Sequence, residues 1–432
     1  MTSPPEKRLT ALEKLLQISR DMVATADLDD LLGVIVERSM ELLESERASL
    51  FLYEPAGDEL VSKIAHGADE IRFSAKTGVA GAVVRSREIL NIPDAYADER
   101  FNPEVDRRTG FRTRNILAVP LLDYSGDLVG VLEVLNRRDG EYTEADIGLA
   151  RTLGAQAGVV LQRARLLAHY VEKQRMEQSL AIARQIQQDL LPKDDPQVAG
   201  FEVAGWSCPA DETGGDVYDF FPVGPDRWTL TLADATGHGV GPALVIAEAR
   251  AMLRALSCEA CPGRSVGAPP AAMDIGAILA RVNDLLVADL DSARFVTCFF
   301  ALLDGPAARV RYASAGQGPI IFYDRAGDAF EELPATALPL GVMEHMPFDE
   351  HVERALAPGD MMAAVTDGFF EAINTDDEQF GTERIRELLR RDRDLPCAEI
   401  IQDLRQAVDE FTDYAPQADD LTAIIVRRNG DG

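Results

Sequence analysis

Two neighbouring stretches, TGGDVYDFF at 213–221 and RWTLTLADATGHGVGPAL at 227–244, set the architecture of the C-terminal half. In the second, Trp228, Leu230 and Leu232 alternate with Thr229 and Thr231, the period of a half-buried β-strand, and the strand ends on Asp234. Gly237, Gly239 and Gly241 follow at once, which suits a tight turn from strand into helix. A carboxylate at the end of a buried strand is costly unless something pairs it. Three further acids each read as sitting where a strand ends beside glycine or a turn: Asp216 behind Gly214 and Gly215, Asp367 between MMAAVT and Gly368, and Asp419 at the head of DDLTAIIV. No lysine lies beyond Lys193, so hard cations are the natural partners. Two such ions sharing a carboxylate lower the pKa of a bound water and clamp a phosphoryl oxygen.

Outward from these stretches, the spacing predicts helices over about 241–256 and 274–289, and a strand over 295–303. Strands near 309–312, 319–323, 361–365 and 422–426 and helices near 383–391 and 398–411 complete the half. Short strands in succession, with helices inserted in adjacent pairs, fit layered antiparallel sheets with helices outside rather than a doubly wound sheet. The N-terminal third reads as two helices, 6–22 and 27–44, the second capped by Asp27. Hairpins follow at 48–53 with 60–64 and at 116–122 with 128–136, with a short helix at 78–84 and a long charged loop at 94–113 between them. Such an α+β domain of about 160 residues would keep a pocket beneath the loop. Thr143 and Asp146 form a capping box, and the helix they open has no stop before Pro192. Met176, Leu180, Ala183, Gln187 and Leu190 give it a stripe at 4-3-4-3 spacing that suits a seam against a second copy.

Among 432 residues, 73 acidic and 43 basic side chains leave a net charge of −30. Residues 200–432 carry 40 acidic and 18 basic groups, so the acid is concentrated in the C-terminal half. That field repels nucleic acid and anionic lipid and favours divalent cations. No apolar run approaches the roughly 20 residues of a spanning helix, so a cytoplasmic protein with no membrane insertion and no nucleic-acid partner is expected. Five cysteines make no disulfide framework, and the CxxC at Cys258 and Cys261 lacks a second pair to complete a zinc site.

Residues 178–428 resemble the bacterial branch of the PP2C-like metal-dependent serine/threonine phosphatases, of the sporulation and stress-response type. The resemblance runs through IARQIQQDLLP at 182–192, GGDVYDF at 215–220, DATGHGVGPAL at 234–244, FVTCFFALLD at 295–304, YASAGQGP at 312–319, PLGV at 339–342, TDGFFEA at 366–372 and DDLT at 419–422. It implies that Asp234 bridges two divalent cations, Mn²⁺ or Mg²⁺, with the Ala235 carbonyl and Asp216 on one ion and Asp367 and Asp419 on the other. It also implies direct attack of a metal-bridging water on phosphorus, Asp234, Asp367 and Asp419 being catalytic through the metals. His238 is the candidate proton donor, or else a loop histidine serving the fold. Where the family has histidine this chain has Gln317.

Residues 27–165 resemble a GAF domain, and 91–121 look like the cyclic-nucleotide-binding GAF domains of phosphodiesterases and adenylyl cyclases. Of their Asn-Lys, Phe, Asp-Glu signature this chain has Asn136-Arg137, Tyr142 and Asp146-Ile147. A cyclic nucleotide, another small molecule or no ligand at all remain open, with Asp94, Arg107, Thr109, Arg112 and Asn136 as candidate contacts. The expected class is α+β: an N-terminal helix at 1–26, a GAF sensor at 27–165, a signalling helix at 166–192 and an αββα-layered PP2C-like phosphatase with antiparallel sheets at 193–432. The resemblance implies a homodimer acting on a phosphorylated regulatory protein of the anti-sigma-factor antagonist type. The competing function is a non-catalytic, ligand-responsive scaffold that binds such a partner.

Overall fold

The computed structural model describes residues 4–25, 27–62, 71–260, 273–291 and 293–430, without the side chains of residues 4–12, Ile71, Arg108 and Thr109. Cys261 and the expected strand end at Ile64 lie outside the described residues. The chain divides into two compact units, Met1–Arg175 and Met176–Gly432.

The first unit contains α1 (Pro4–Ala24), α2 (Leu28–Leu42), β1 (Ser45–Glu54), β2 (Glu59–Ser62), β3 (Ile71–Ser74), α3 (Gly78–Ser86), β4 (Leu90–Ile92), α4 (Glu104–Thr109), β5 (Ile116–Leu122) and β6 (Leu128–Arg137). Asp27 caps α2 by accepting from the N–H groups of Asp29 and Asp30. The sheet runs β3-β2-β1-β6-β5-β4, so each hairpin read from the sequence is flanked by a short strand that was not. One face packs on α1, α2 and the long helix α5 (Glu144–Leu190), with Leu31, Ile35, Leu132, Val134, Leu153 and Leu161 in its core. The opposite face holds Val131, Ile116 and Ala118 against Val79 and Val83 of α3. The excursion at 94–113 is not one loop. A 3₁₀ turn at Ala95–Ala97 and the six-residue α4 interrupt it, the latter opened by Glu104 and Asp106 and closed by Gly110 in the left-handed region. Beneath it Ile92, Ala95 and Ile116 pack, with Phe101 partly buried against them.

α5 spans 47 residues, about 70 Å at 1.5 Å per residue. Its side chains are buried at Ala150, Leu153, Ala157, Leu161 and Ala164. Among those exposed beyond that point are Leu166, Leu167, Tyr170, Val171, Met176, Ile182 and Ile186. Leu180, Ala183, Gln187 and Leu190 are half-buried. No described helix is long and apolar enough to cross a membrane.

The second unit adds β7 (Phe201–Cys208), β8 (Asp216–Gly224), β9 (Arg227–Ala235), α6 (Val240–Glu259), α7 (Ile275–Asp289), β10 (Val296–Asp304), β11 (Arg309–Ala315), β12 (Ile320–Asp324), β13 (Ala329–Leu333), β14 (Val352–Ala355), β15 (Met361–Val365), α8 (Asp367–Phe370), α9 (Gly381–Arg391), α10 (Cys397–Phe411) and β16 (Leu421–Arg428). Two five-stranded antiparallel sheets result, ordered β14-β11-β10-β9-β8 and β13-β12-β15-β16-β7. Alternation along β10 shows the layering: Phe299, Ala301 and Leu303 enter the core between the sheets with Tyr312, Phe322 and Ile424. Cys298, Phe300 and Leu302 face the helical layer with Leu253 of α6 and Leu279 and Val282 of α7. On the other outer face, Ile400 and Leu404 of α10 and Leu389 of α9 cover Ala363, Val365 and Ile425. The αββα order expected from the sequence is therefore the order found. Asp216 opens a strand instead of ending one, because VYDFF itself pairs with β9.

Candidate active site

The two sheets bring the sequence-distant acids to one end of the sandwich. Asp216 on β8 is directly opposite Asp234 on β9. Asp234 is also opposite Thr297 on β10. Asp367 follows β15 and begins the single-turn α8, while Asp419 and Asp420 lie just before β16, the neighbour of β15.

Asp216 is buried, and its carboxyl is pushed well above the usual range by burial and by the charges of Asp234 and Asp420. Thr366 Oγ1 donates to its Oδ2 at 2.8 Å. Asp234 is pushed up to about 7 by burial and by Asp367, Asp419 and Asp420. Asp367 is raised by burial, then by Asp419 and Glu371. Each of these three carboxyls is thus raised by burial first and by neighbouring negative charge second. The arginines nearby in the chain are spent elsewhere, since Arg250 and Arg254 of α6 both pair with buried Asp219. His238 Nδ1 lies 2.6 Å from Asp211 Oδ2. His238 itself is exposed, three residues beyond Ala235.

Gly237 at φ +90° and Gly239 at φ +88° make the turn from Asp234 into α6. Gly215 donates space: a Cβ there would lie 2.6 Å from the Ala235 carbonyl oxygen and 3.3 Å from Asp234 Oδ1. A Cβ on Gly214 would lie 2.3 Å from Asp420 Oδ2. The donors gathered here are carboxylates and one carbonyl, a hard oxygen set of the kind that Mg²⁺ and Mn²⁺ take. Among the described residues no three His, Cys, Asp or Glu side chains already form a compact ligand group.

Two participants, Asp420 and Thr366, escaped sequence reasoning, and the structure gives Gln317 its place. Asp420 accepts from the N–H of Ala210 at 2.7 Å and of Asp216 at 3.2 Å, so it holds the strand start that carries Asp216. Its signal was the doubled acid of DDLT, in which the buried member is the second. Thr366, fully buried, links Asp216 to the backbone of Thr422, whose N–H donates to its Oγ1 at 2.9 Å. Gln317 is buried, accepting from Thr297 Oγ1 at 2.7 Å and donating to the Val365 carbonyl at 2.9 Å. It therefore ties the strand opposite Asp234 to the strand that leads into Asp367.

In the first unit the candidate ligand residues are dispersed in role. Asn136, wholly buried at φ +57°, accepts from Arg114 N and donates to Glu46 Oε2 and the Arg112 carbonyl. Asp94 caps the 3₁₀ turn through Tyr96 N, and Arg112 lies over the Tyr96 ring. Arg107 is exposed, and the side chain of Thr109 is outside the described residues. Buried Asp106, not expected, anchors the excursion by accepting from Thr113 N, Thr113 Oγ1 and Tyr96 Oη. Arg137 pairs with Asp146 at 3.1 Å, joining two positions of the signature. Glu133 on β6 shares the face of Val131 and accepts the N–H of Ala80 in the first turn of α3, and burial pushes its carboxyl up to about 7.

Residues 224–429 match the family described as Stage II sporulation protein E, and residues 27–161 match the GAF domain. The SiaA-PP2C domain of Pseudomonas aeruginosa is a similar solved structure, with a TM-score of 0.51, 25 % identity and coverage of 59 % of this chain and 98 % of that one. Among curated proteins, the dual 3′,5′-cyclic-AMP and -GMP phosphodiesterase 11 of Drosophila melanogaster is 35 % identical over 200 residues, 42 % of this chain and 14 % of that protein. The cGMP-specific 3′,5′-cyclic phosphodiesterase of the same organism is 32 % identical over 193 residues, 40 % of this chain and 17 % of that protein. The chain thus spans about a sixth of the length of these curated relatives. Layer order, sheet topology and both domain matches agree that the chain joins an N-terminal GAF domain to a phosphatase domain of the bacterial PP2C type.

Proposed function

We propose that the protein is a metal-dependent protein serine/threonine phosphatase whose GAF domain gates it. The observation that carries the reading is the convergence of Asp216, Asp234, Asp367 and Asp419 from four separate strand ends, with the carboxyls of Asp216, Asp234 and Asp367 raised by burial and by the charge of neighbouring carboxylates. Asp216, Asp234, Asp367, Asp419 and the Ala235 carbonyl would hold two Mn²⁺ or Mg²⁺ ions. Bound there, such ions supply an acidified water and neutralise charge on the phosphoryl oxygens. The chain's own work is positional. Thr366 and Asp420 fix Asp216, the Gly215 gap leaves the Ala235 carbonyl clear, and Gln317 ties together, across the two sheets, the strands behind Asp234 and Asp367. His238, oriented by Asp211 at the exposed rim, would protonate a departing seryl or threonyl oxygen.

The substrate in this reading is phosphoserine or phosphothreonine on a regulatory protein of the anti-sigma-factor antagonist type, and the working state is a homodimer. Exposed Val171, Ile182 and Ile186 on α5 support the dimer. Segment 166–192 would be the signalling helix between sensor and phosphatase. The test is Mn²⁺-dependent release of phosphate from a phosphoserine protein, with Asp234→Ala as control. Loss of more than about 100-fold in kcat is expected, and turnover within about threefold of the parent rejects the assignment in favour of a binding scaffold.

A further inference from the structure

Gln187 lies in the last turn of α5 and makes a two-point bond with the backbone of one residue, Gly214, in the loop before β8. Its Nε2 donates to the Gly214 carbonyl at 2.6 Å, and its Oε1 accepts from the Gly214 N–H at 3.1 Å. The Asp420 carboxylate fills the space that a Cβ on Gly214 would need, and it accepts the Asp216 N–H. One short relay therefore runs from the helix end through Gly214 and Asp420 to Asp216. Leu191, directly after the helix, packs against both the inter-sheet core and the α6–α7 core, so the last turn has a fixed seat.

We infer that Gln187 is a positioning residue: its amide clamp on Gly214 makes the rotational phase of the α5 terminus set the placement of the Gly214–Asp216 segment. The clamp is sensitive to phase because a side-chain amide stands about 5 Å from a helix axis, so a rotation of roughly 20° displaces it by nearly 2 Å. Hydrogen bonds of this length do not survive such a displacement. An amide also suits the role better than a charge, since it donates and accepts at once. A glutamate would put an anion against the Gly214 carbonyl, beside Asp420.

The inference rests on the phosphatase reading only for its activity arm, and amide exchange in metal-free full-length protein tests it independently. In Gln187→Ala and Gln187→Glu, the Gly214–Asp216 amides are expected to exchange at least tenfold faster than in the parent. The Mn²⁺ concentration for half-maximal phosphatase activity should rise severalfold, with kcat at saturating Mn²⁺ within threefold. Gln188→Ala, one residue on and exposed, should match the parent in both. Parent-like exchange at Gly214 in both Gln187 variants overturns the inference even if the protein proves to be no phosphatase. So does a uniform fall in melting temperature and kcat with the Mn²⁺ dependence unchanged, because that pattern belongs to a residue that merely stabilises the fold.

Discussion

Asp216 and Asp234 occupy directly opposed positions on β8 and β9. Like charges across an antiparallel pair destabilise it, by up to about 1 kcal/mol. Here the second carboxylate also feels Asp367, Asp419 and Asp420. Metal-free Asp234→Asn protein is therefore expected to melt about 2–4 °C above the metal-free parent. Mn²⁺ should raise the melting temperature of the parent by mass action and leave that of the variant almost unmoved. Scanning calorimetry with and without Mn²⁺ checks both, and a variant stabilised by Mn²⁺ as much as the parent would contradict the bridging role.

Asp420 serves the backbone. Asp420→Ala leaves the Ala210 and Asp216 N–H groups without their acceptor, a cost on the order of 3 kcal/mol. A fall of about 6–12 °C in melting temperature is expected. Asp420→Asn keeps an acceptor oxygen and should cost less than half as much. Equal losses in the two variants would mean that charge, not the acceptor, is what the site needs.

Gln317 is spent at both ends, on Thr297 Oγ1 and on the Val365 carbonyl. An imidazole is shorter and rigid and cannot reach both partners in the same plane. Gln317→His should therefore lower stability by about 1–3 kcal/mol and kcat by less than tenfold. Its pH profile should keep both limbs within about half a unit of the parent's. A larger shift at saturating Mn²⁺ would show that a histidine at this position enters the chemistry.

The sequence carried the layer order because period-2 strands such as Thr229–Leu232 and helices such as that around Leu279 write their burial into alternation. It missed the four edge strands of the two sheets, β7, β8, β13 and β14, the last two of which mix charge with apolar residues as AFEEL and VERA. Asp216, Asp234 and Asp367 were legible because glycines mark each strand end. Thr366 and Gln187 were not, because each acts through a partner distant in the chain, Asp216 and Gly214; Asp106 was not, because its bond to Thr113 spans a helical turn that local sequence did not announce.

Glu133 gives the first unit a pH dependence of defined sign. Burial raises its carboxyl to about 7, while the unfolded chain releases the same proton near 4.5. Between these values the folded state holds a proton that the unfolded state has lost, so stability falls as pH rises, and the whole penalty is present above pH 7. Glu133 keeps partial solvent contact, so the penalty is expected at about 2 kcal/mol rather than the full value for complete burial. Glu133→Gln, which still offers Ala80 an acceptor, should be more stable than the parent at pH 8 and equal to it at pH 4.5. Thermal melts of the first unit's transition at the two pH values decide it, and an identical difference at both would exclude Glu133 as the source.

The clamp at Gln187 fixes one end of α5, while the side chains from Ala150 to Ala164 are buried in the first unit. Changes made between these anchors alter phase without touching either. Each deleted residue turns the two ends by about 100°, so removing 168–171 leaves a phase error of about 40°. Removing 168–174 takes out one heptad, which a supercoiled pair absorbs while keeping its register. The shorter deletion should therefore disturb basal phosphatase rate or its response to a sensor ligand more than the longer one, although it removes less chain. A dimer is the precondition, since a single helix has no seam whose phase matters. Sedimentation of the full-length protein at micromolar concentration should show two chains, and both deletions should retain Mn²⁺ binding and melting temperatures near the parent's. A strictly monomeric protein, or two deletions alike in rate and regulation, would reduce the segment from a signalling helix to a tether.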